Sequence, residues 1–597
     1  VTQRKTPLRI GGASGYWGDA AMATPQLLAS GDLNVIVYDY LAEITMAILA
    51  RIRAKDPTLG YAVDFVTSAM APNLAQIAKT GVKVISNAGG VNPEGCATAL
   101  RDVIARQGLK LTVAVVTGDD LMPAIDQIAN TAPTEMFTGA DFPDPATIGS
   151  INAYLGAFPI ALALQDGADI VITGRCVDTA VTLGACIHHF GWQDHDLDAL
   201  AGGSLAGHIL ECGPQATGGN FTDWQEVADD MADIGYPIAE IDTAGDFTLT
   251  KPAQTGGKVS IGTVAEQMLY EIGDPQTYML PDVTCDFSDV TLVEIGENKV
   301  RVAGAKGRAA PMGLKTCLTW ANCFRGGHLF SFYGLDAEAK AKAFAGAAFA
   351  RARKAFRALN LGDFSETSVE LIGAESQFGA QRQIGPAREV AAKIAVRHPS
   401  PKGVAIFLKE ATGLGLSTAP GLSGFAGARP KPSPVMALYS YLTPRETVPV
   451  TISGETGTRS YSMSSSHGPA APTRPPFPAM PDMTNAVTVP LIRLAWARSG
   501  DKGDNANIGV IARRPEFLPY IWHGLDDVTI LAAFAHFDCQ KLERFLLPGS
   551  HSMNILLHNV LGGGGTSSLR NDPQGKGYAQ LLLSHPVRVD ETILGGA

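Results

Sequence analysis

No apolar run in this sequence reaches the roughly 18 residues that a membrane-crossing helix needs, and no long basic run offsets its formal net charge of −11. The first absence argues against a helical span. The second makes nucleic acid and acidic membrane surfaces unexpected partners. Cysteine is sparse and scattered: Cys96, Cys176, Cys186, Cys212, Cys285, Cys317, Cys323 and Cys539 include no C-x-x-C pair. None combines with the twelve histidines at zinc spacing, so no metal ligands are named, and a metal near Asp119 and Asp120 is left open. In a chain of this size such thiols fit a reducing compartment, and a cytoplasmic protein is expected. Behind Val1 to Pro7 lies no apolar h-region, so no secretory signal is read there. There is no internal repeat.

What is present is a long globular chain. At roughly 150 residues per domain, 597 residues allow two to four domains. A hydrophobic content of 46% with 18% charged residues is ordinary for a packed fold. The most informative feature is a series of glycine-rich turns, each after a short apolar run. They are Gly11 to Asp19, Ser86 to Gly90, Thr117 to Asp120, Thr173 to Asp178, and Glu211 to Gly213 with Gly218, Gly219 and Asn220. Glycine permits sharp turns and close approach of backbone to ligand. In open α/β sheets, ligands bind at the carboxyl ends of the strands. Five such turns within 220 residues point to one shared pocket and to an enzyme.

Alternating strand and helix patterns define the fold class as α/β, with a mostly parallel, Rossmann-like sheet in residues 1–245. Val35 to Tyr38, Val82 to Ile85, Leu111 to Val116 and Asp169 to Thr173 read as strands. Leu41 to Lys55 and Ala153 to Gln165 read as helices. Residues 246–460 read as a second, α+β lobe. It carries a hairpin across Gly296 to Asn298, a helix from Ala337 to Leu359, and strands at Val369 to Ile372 and Val404 to Leu408. Six prolines between Ser464 and Asn485 forbid helix and favour an extended spacer, so 461–487 reads as a linker. Residues 488–597 form a compact α+β module.

Each motif has a functional and a structural interpretation. Gly12-x-x-Gly15-x-x-Gly18 after Leu8 to Ile10, with Asp39 closing the next strand, matches the spacing of a dinucleotide site. No Tyr-x-x-x-Lys pair accompanies it, and Trp17 and Asp19 stand where a pyrophosphate would sit. The alternative is a packing turn or another ligand. Arg175 clamps a carboxylate or phosphate, with Asp178 holding it or acting as base, unless the two are a structural pair. Asp119 and Asp120 are general acid/base candidates or caps of a following helix. The glycine loop around Gly218 and Gly219 offers backbone N–H groups to an anion, while Cys212 reads as an inert thiol. Asp501 and Lys502, in the loop Arg498 to Asn505, suit a phosphate or cation. Gly562 to Thr566 reads as a mobile loop that closes on a ligand or a neighbouring subunit.

At these residues the chain resembles the acyclic terpene utilisation (AtuA) family. The stretches that carry the resemblance are Gly11 to Asp19, Tyr38 to Glu43, Asn87 to Pro93, Gly174 to Asp178, Gly218 to Asn220, and Glu271 to Pro275 with Tyr278, Pro281, Asp282 and Val283. The C-terminal module, with Ser499 to Asn505, resembles the ferredoxin-fold domain often attached to that family. The resemblance implies degradation of branched, terpenoid-type acids through CoA thioesters, beside acyl-CoA carboxylases. It supplies no reaction and no catalytic residues.

The expected function is therefore an enzyme acting on a branched acyl-CoA or hydroxyacyl-CoA, of hydratase or dehydratase type. Asp119 or Asp120 serves as acid/base, Arg175 with Asp178 as clamp, and Asp19 as a second acid. Asn87 and Asn220 orient the substrate beside Gly12, Gly15, Gly89, Gly90, Gly218 and Gly219. Asp501 and Lys502 meet the CoA phosphate, and CoA enters only as part of the substrate. Alternatives are an NAD-dependent oxidoreductase and a non-catalytic partner of an acyl-CoA carboxylase. A homo-oligomer is expected.

Overall fold

The structure is a computed structural model that describes residues 6–19, 21–424 and 429–595. Val1 to Lys5, most of the non-apolar start noted above, lie outside them. The chain begins as the alternation predicts. Strand β1 (Leu8–Gly12) pairs in parallel with β2 (Val35–Tyr38), and β2 with β3 (Lys83–Ser86). Strand β4 (Val113–Thr117) lies outside them, and β5 (Ile148–Ala153) leaves the sheet altogether. Strand β6 (Ile170–Thr173) inserts between β3 and β4, parallel to both. All residues of β2 and β6 are buried, as strands covered on both faces must be.

Taken whole the sheet is mixed, because antiparallel strands flank the parallel ones that residues 1–245 contribute. Strand β7 (Ile238–Ile241) runs antiparallel to β1, followed outward by β8 (Phe247–Thr250), Lys299–Ala303 and Thr291–Gly296. On the far side Val450–Gly454 pairs antiparallel with β4, and Gly457–Tyr461 completes eleven strands. Residue 245 is thus no break in the fold, because both neighbours of the proposed boundary supply strands to one sheet.

The second lobe is narrower than 246–460. Gly313–Tyr333, helix Ala337–Ala358, Glu366–Ile372, Glu389–His398, helix Pro401–Gly413 and Ser433–Pro444 follow one another in a split βαβ order. Across the sheet they run Glu366–Ile372, Glu389–His398, Gly313–Tyr333, Ser433–Pro444, all antiparallel. Both helices cover one face, around Phe344, Phe356 and Phe407. Val404 to Leu408 is helical, not a strand. Ser400 caps it, its Oγ accepting the Lys402 N–H at 3.3 Å, and Pro401 opens it.

Strand β5 pairs with the start of the long strand Gly313–Tyr333 and so ties the lobe to the first domain. Residues 462–483 carry no helix or strand. They are nevertheless pinned: Arg474 pairs with Asp274 at 2.6 Å, and Gln276 donates to the Thr473 carbonyl at 2.9 Å. In the C-terminal module four antiparallel strands run in the order Ala495–Lys502, Asn505–Ala512, Ser552–Leu557, Leu542–Leu547. Helices Leu518–Gly524, Asp527–Ala533 and Tyr578–Leu583 share their core. Arg498 to Lys502, read above as loop, is strand. Among the described residues no helix is long and apolar enough to cross a membrane.

Candidate active site

Parallel strands that share a direction must end on one edge, and that edge gathers the polar turns. Asp39 follows β2, Asn87 follows β3, Asp119 follows β4 and Arg175 follows β6. All four are buried. Asn87 Nδ2 donates to Asp39 Oδ1 at 2.5 Å, while Asn87 Oδ1 accepts the Tyr40 N–H at 2.7 Å. Arg175 donates to Asp178 Oδ1 at 2.6 Å and to the Cys176 carbonyl at 2.9 Å. Its guanidinium lies 4.1 Å above the Tyr154 ring, and its Nε is buried without a protein partner.

Three side chains complete this wall through the β5 junction. Tyr154 donates from its hydroxyl to Glu43 Oε1 at 2.6 Å, and Lys315 pairs with the same oxygen at 3.2 Å. Burial alone would push the Glu43 carboxyl up, but Lys315, Arg175 and Tyr154 outweigh it and hold it low. A cavity of about 10 Å³, room for one water, lies among Glu43, Asn152, Tyr154 and Arg175.

The opposite wall comes from the end of helix Leu197–Leu210. His208 Nδ1 lies 2.9 Å from Glu211 Oε1, and His208 Nε2 faces the Met268 carbonyl at 3.2 Å. A carbonyl only accepts, so Nε2 carries a proton and the other nitrogen shares one with Glu211. Glu211 Oε2 is buried and unpartnered. Burial pushes the Glu211 carboxyl up, with Asp178 and Glu271 adding to it and His208 opposing. Burial also pushes Asp39 well up, aided by the charges of Asp178 and Glu211 and opposed by Arg175. Asp39, Asp178, Glu211 and Arg175 therefore share one electrostatic site.

The C-terminal module closes this site. Lys576 pairs with Glu271 at 2.8 Å and Asp501 at 3.2 Å, and also bonds the Tyr270 hydroxyl. Burial, with Glu271 adding to it, pushes Asp501 up to about 6. Lys502 sits 5.6 Å from the Tyr278 ring centre, and its charge helps hold Glu271 low.

Several expected residues fall elsewhere. Asp120 pairs with Arg53 at 3.2 Å and accepts the Met122 N–H at 3.0 Å in a local turn just before the following helix, so it is engaged away from Arg175. Asp119 is buried behind the wall, accepting the Arg175 N–H and Asn152 Nδ2, both at 2.8 Å. Its chief role in this geometry is to hold the Arg175 turn. Asp19 accepts the Gly15 N–H at 3.0 Å and the Tyr236 hydroxyl at 2.9 Å, apart from Arg175.

The first glycine turn is used for packing. A Cβ at Gly12 would lie 2.6 Å from the Leu210 carbonyl oxygen, and one at Gly15 would lie 3.0 Å from the Cys212 backbone. Gly89 presses on the Thr173 carbonyl and Gly90 on Leu49, while Gly219 abuts Pro214 and Gly218 meets Val227. Asn220 is exposed and offers its carbonyl to Arg498 at 2.9 Å. Glu43, Tyr154, Lys315, His208 and Lys576 had no place in the expected site. Only the i,i+3 spacing of His208 and Glu211 at a helix end was a visible signal. Cys212 is partly buried, and burial beside Glu211 and Glu271 pushes its thiol well up, as suits an inert cysteine. Among the described residues no three His, Cys, Asp or Glu side chains gather as metal ligands.

Fold and site together define an α/β protein with buried acids and an arginine at its strand ends, beneath an α+β module. The chain belongs to the acyclic terpene utilisation family: the AtuA family model matches residues 8–453, and the AtuA ferredoxin-like domain matches residues 489–588. Membership points to a role in acyclic terpene utilisation. No curated protein matches the chain, and no solved structure does.

Proposed function

We propose that this protein is an enzyme of branched or terpenoid acid degradation that adds water to, or eliminates it from, an acyl-CoA or hydroxyacyl-CoA. The observation that carries the proposal is the shared site of Asp39, Asp178, Glu211 and Arg175, in which burial raises the proton affinity of two acids, Asp39 and Glu211. Elimination breaks a C–H and a C–O bond, forms C=C and releases water. It needs one group to take the carbon-bound proton and another to protonate the departing hydroxyl. Acids whose environments separate their proton affinities divide those roles.

Glu211, sharing a proton with His208 and presenting a free Oε2, is the proton donor. Asp178, oriented by Arg175 and partly exposed, is the base. Arg175 and Lys502 meet developing or fixed negative charge on the substrate. The packed first glycine turn gives no support to NAD there, since its N–H at Gly15 already serves Asp19.

The test is incubation with branched 3-hydroxyacyl-CoA and enoyl-CoA thioesters, read by mass for gain or loss of one water. Glu211→Gln and Asp178→Asn should each lower kcat by roughly 10²–10⁴. Unchanged thioesters throughout, or full activity in both variants, would end the proposal.

A further inference from the structure

The module does not meet the first domain flush everywhere. A cleft of about 210 Å³ opens between them, lined among others by Asn220, Phe221, Trp224, Arg498, Lys576 and Gln580. It lies beside the acid site, for Lys576 belongs to both. Trp224 is 53% exposed, so its indole stands largely uncovered on the cleft wall.

Arg498 projects from strand Ala495–Lys502 and lies 4.7 Å over the Tyr270 ring. It donates to the Asn220 carbonyl at 2.9 Å and to Gln215 Oε1. Both acceptors are neutral, and among the described residues Arg498 forms no ion pair. Its Nε is buried without a partner. The acid that feels its charge is Glu266, whose carboxyl burial pushes up to about 8, so that it is largely neutral at pH 7. A guanidinium without a counter-charge favours a phosphate, which it meets in a planar fork. An uncovered indole favours a flat heterocycle, and base–aromatic stacking is tolerant of base identity. The two stand on one cleft.

We propose that this cleft binds a nucleotide group, with its base against Trp224 and a phosphate on Arg498. The inference rests on the acyl-CoA reading only for the source of that group. A CoA thioester and a free adenine nucleotide carry the same chemistry.

The test is calorimetric titration of the full chain with CoA, ADP and adenosine, in wild type, Arg498→Gln and Trp224→Ala. Thermal midpoints report whether each variant is folded, and Arg498→Lys, which keeps the charge, replaces the glutamine variant if it is not. Binding of CoA or ADP should weaken about tenfold or more in Arg498→Gln, the worth of a charge-assisted hydrogen bond. Adenosine should be unaffected by that change, whereas Trp224→Ala should weaken all ligands that bind. CoA against ADP then identifies the source. The inference is overturned if wild type binds neither CoA nor ADP, or if folded variants bind them as wild type does. Nucleotide binding through Arg498 and Trp224 without thioester turnover keeps the cleft and ends the hydro-lyase proposal. Thioester turnover with a KM indifferent to both variants does the reverse.

Discussion

Asp119 shows how a residue visible in sequence acquires a role only through its neighbours. Two adjacent acids after a strand gave no means of telling catalyst from cap. In the fold Asp120 closes a local turn and pairs with Arg53, whereas Asp119 is 2% exposed and desolvation raises its pKa to about 7. The native state therefore holds a proton that the unfolded chain, near 3.8, releases. The contribution of Asp119 to stability falls as pH rises between those two values and levels off above them, over a span on the order of 4 kcal/mol. Asp119→Asn mimics the protonated acid. Urea unfolding at pH 5 and pH 8 should show a markedly smaller loss of stability in the variant than in wild type. An equal loss in both would place the titration elsewhere. Arg175 and Asp178 were legible because motif and contact coincide. Glu43 and Lys315 were not, because 272 residues separate two side chains that share one oxygen contact.

Elements were legible where pattern and burial agreed. The parallel strands β1, β2, β3, β4 and β6 emerged from short apolar runs, and the hairpin at Gly296 to Asn298 from its turn. The helix Pro401–Gly413 did not, because Val-Ala-Ile-Phe-Leu is apolar enough for a strand. Its buried residues Val404, Phe407, Leu408 and Ala411 instead follow the 3.6 period. The first glycine turn misled similarly: its spacing matched a nucleotide loop, while Gly12 packs on Leu210 at the end of helix Leu197–Leu210 and Gly15 on Cys212 just beyond it. That contact is testable. Gly12→Ala puts a methyl 2.6 Å from the backbone carbonyl of Leu210, which cannot swing aside. The cost should be about 1–3 kcal/mol, the range of overpacking. Gly18→Ala meets empty space but strains a φ of +106°. It should cost about 1 kcal/mol. Denaturation midpoints that reverse this order would remove the packing explanation.

At the scale of the whole molecule, the site exists only because three parts of the chain are locked together, and the lock is polar as well as apolar. Asn507 and Asn554, neighbours on adjacent strands of the module, are fully buried. Asn507 donates to the Leu269 carbonyl at 2.6 Å, and Asn554 to those of Ile272 and Gly273 at 2.9 and 2.6 Å. These carbonyls bracket Glu271, the residue through which Lys576 and Lys502 reach the acids. Arg513 adds a two-pronged pair to Asp223 at 2.7 and 2.6 Å. Nothing in the sequence linked these partners, which lie more than 200 residues apart. The apolar pattern of the module explained its own core and left two strand asparagines without a purpose. Removing one donor strands buried carbonyls, at about 1–3 kcal/mol each. Asn554→Ala should therefore loosen the docking while leaving the module's own sheet paired. Cleavage in the proline-rich segment 462–483, which Arg474 and Gln276 pin in the wild type, should accelerate severalfold under limiting protease. Thioester turnover should fall in parallel, because Lys502 and Lys576 leave the acid site with the module. Faster cleavage with undiminished turnover would show that the acids at the strand ends act without the module above them.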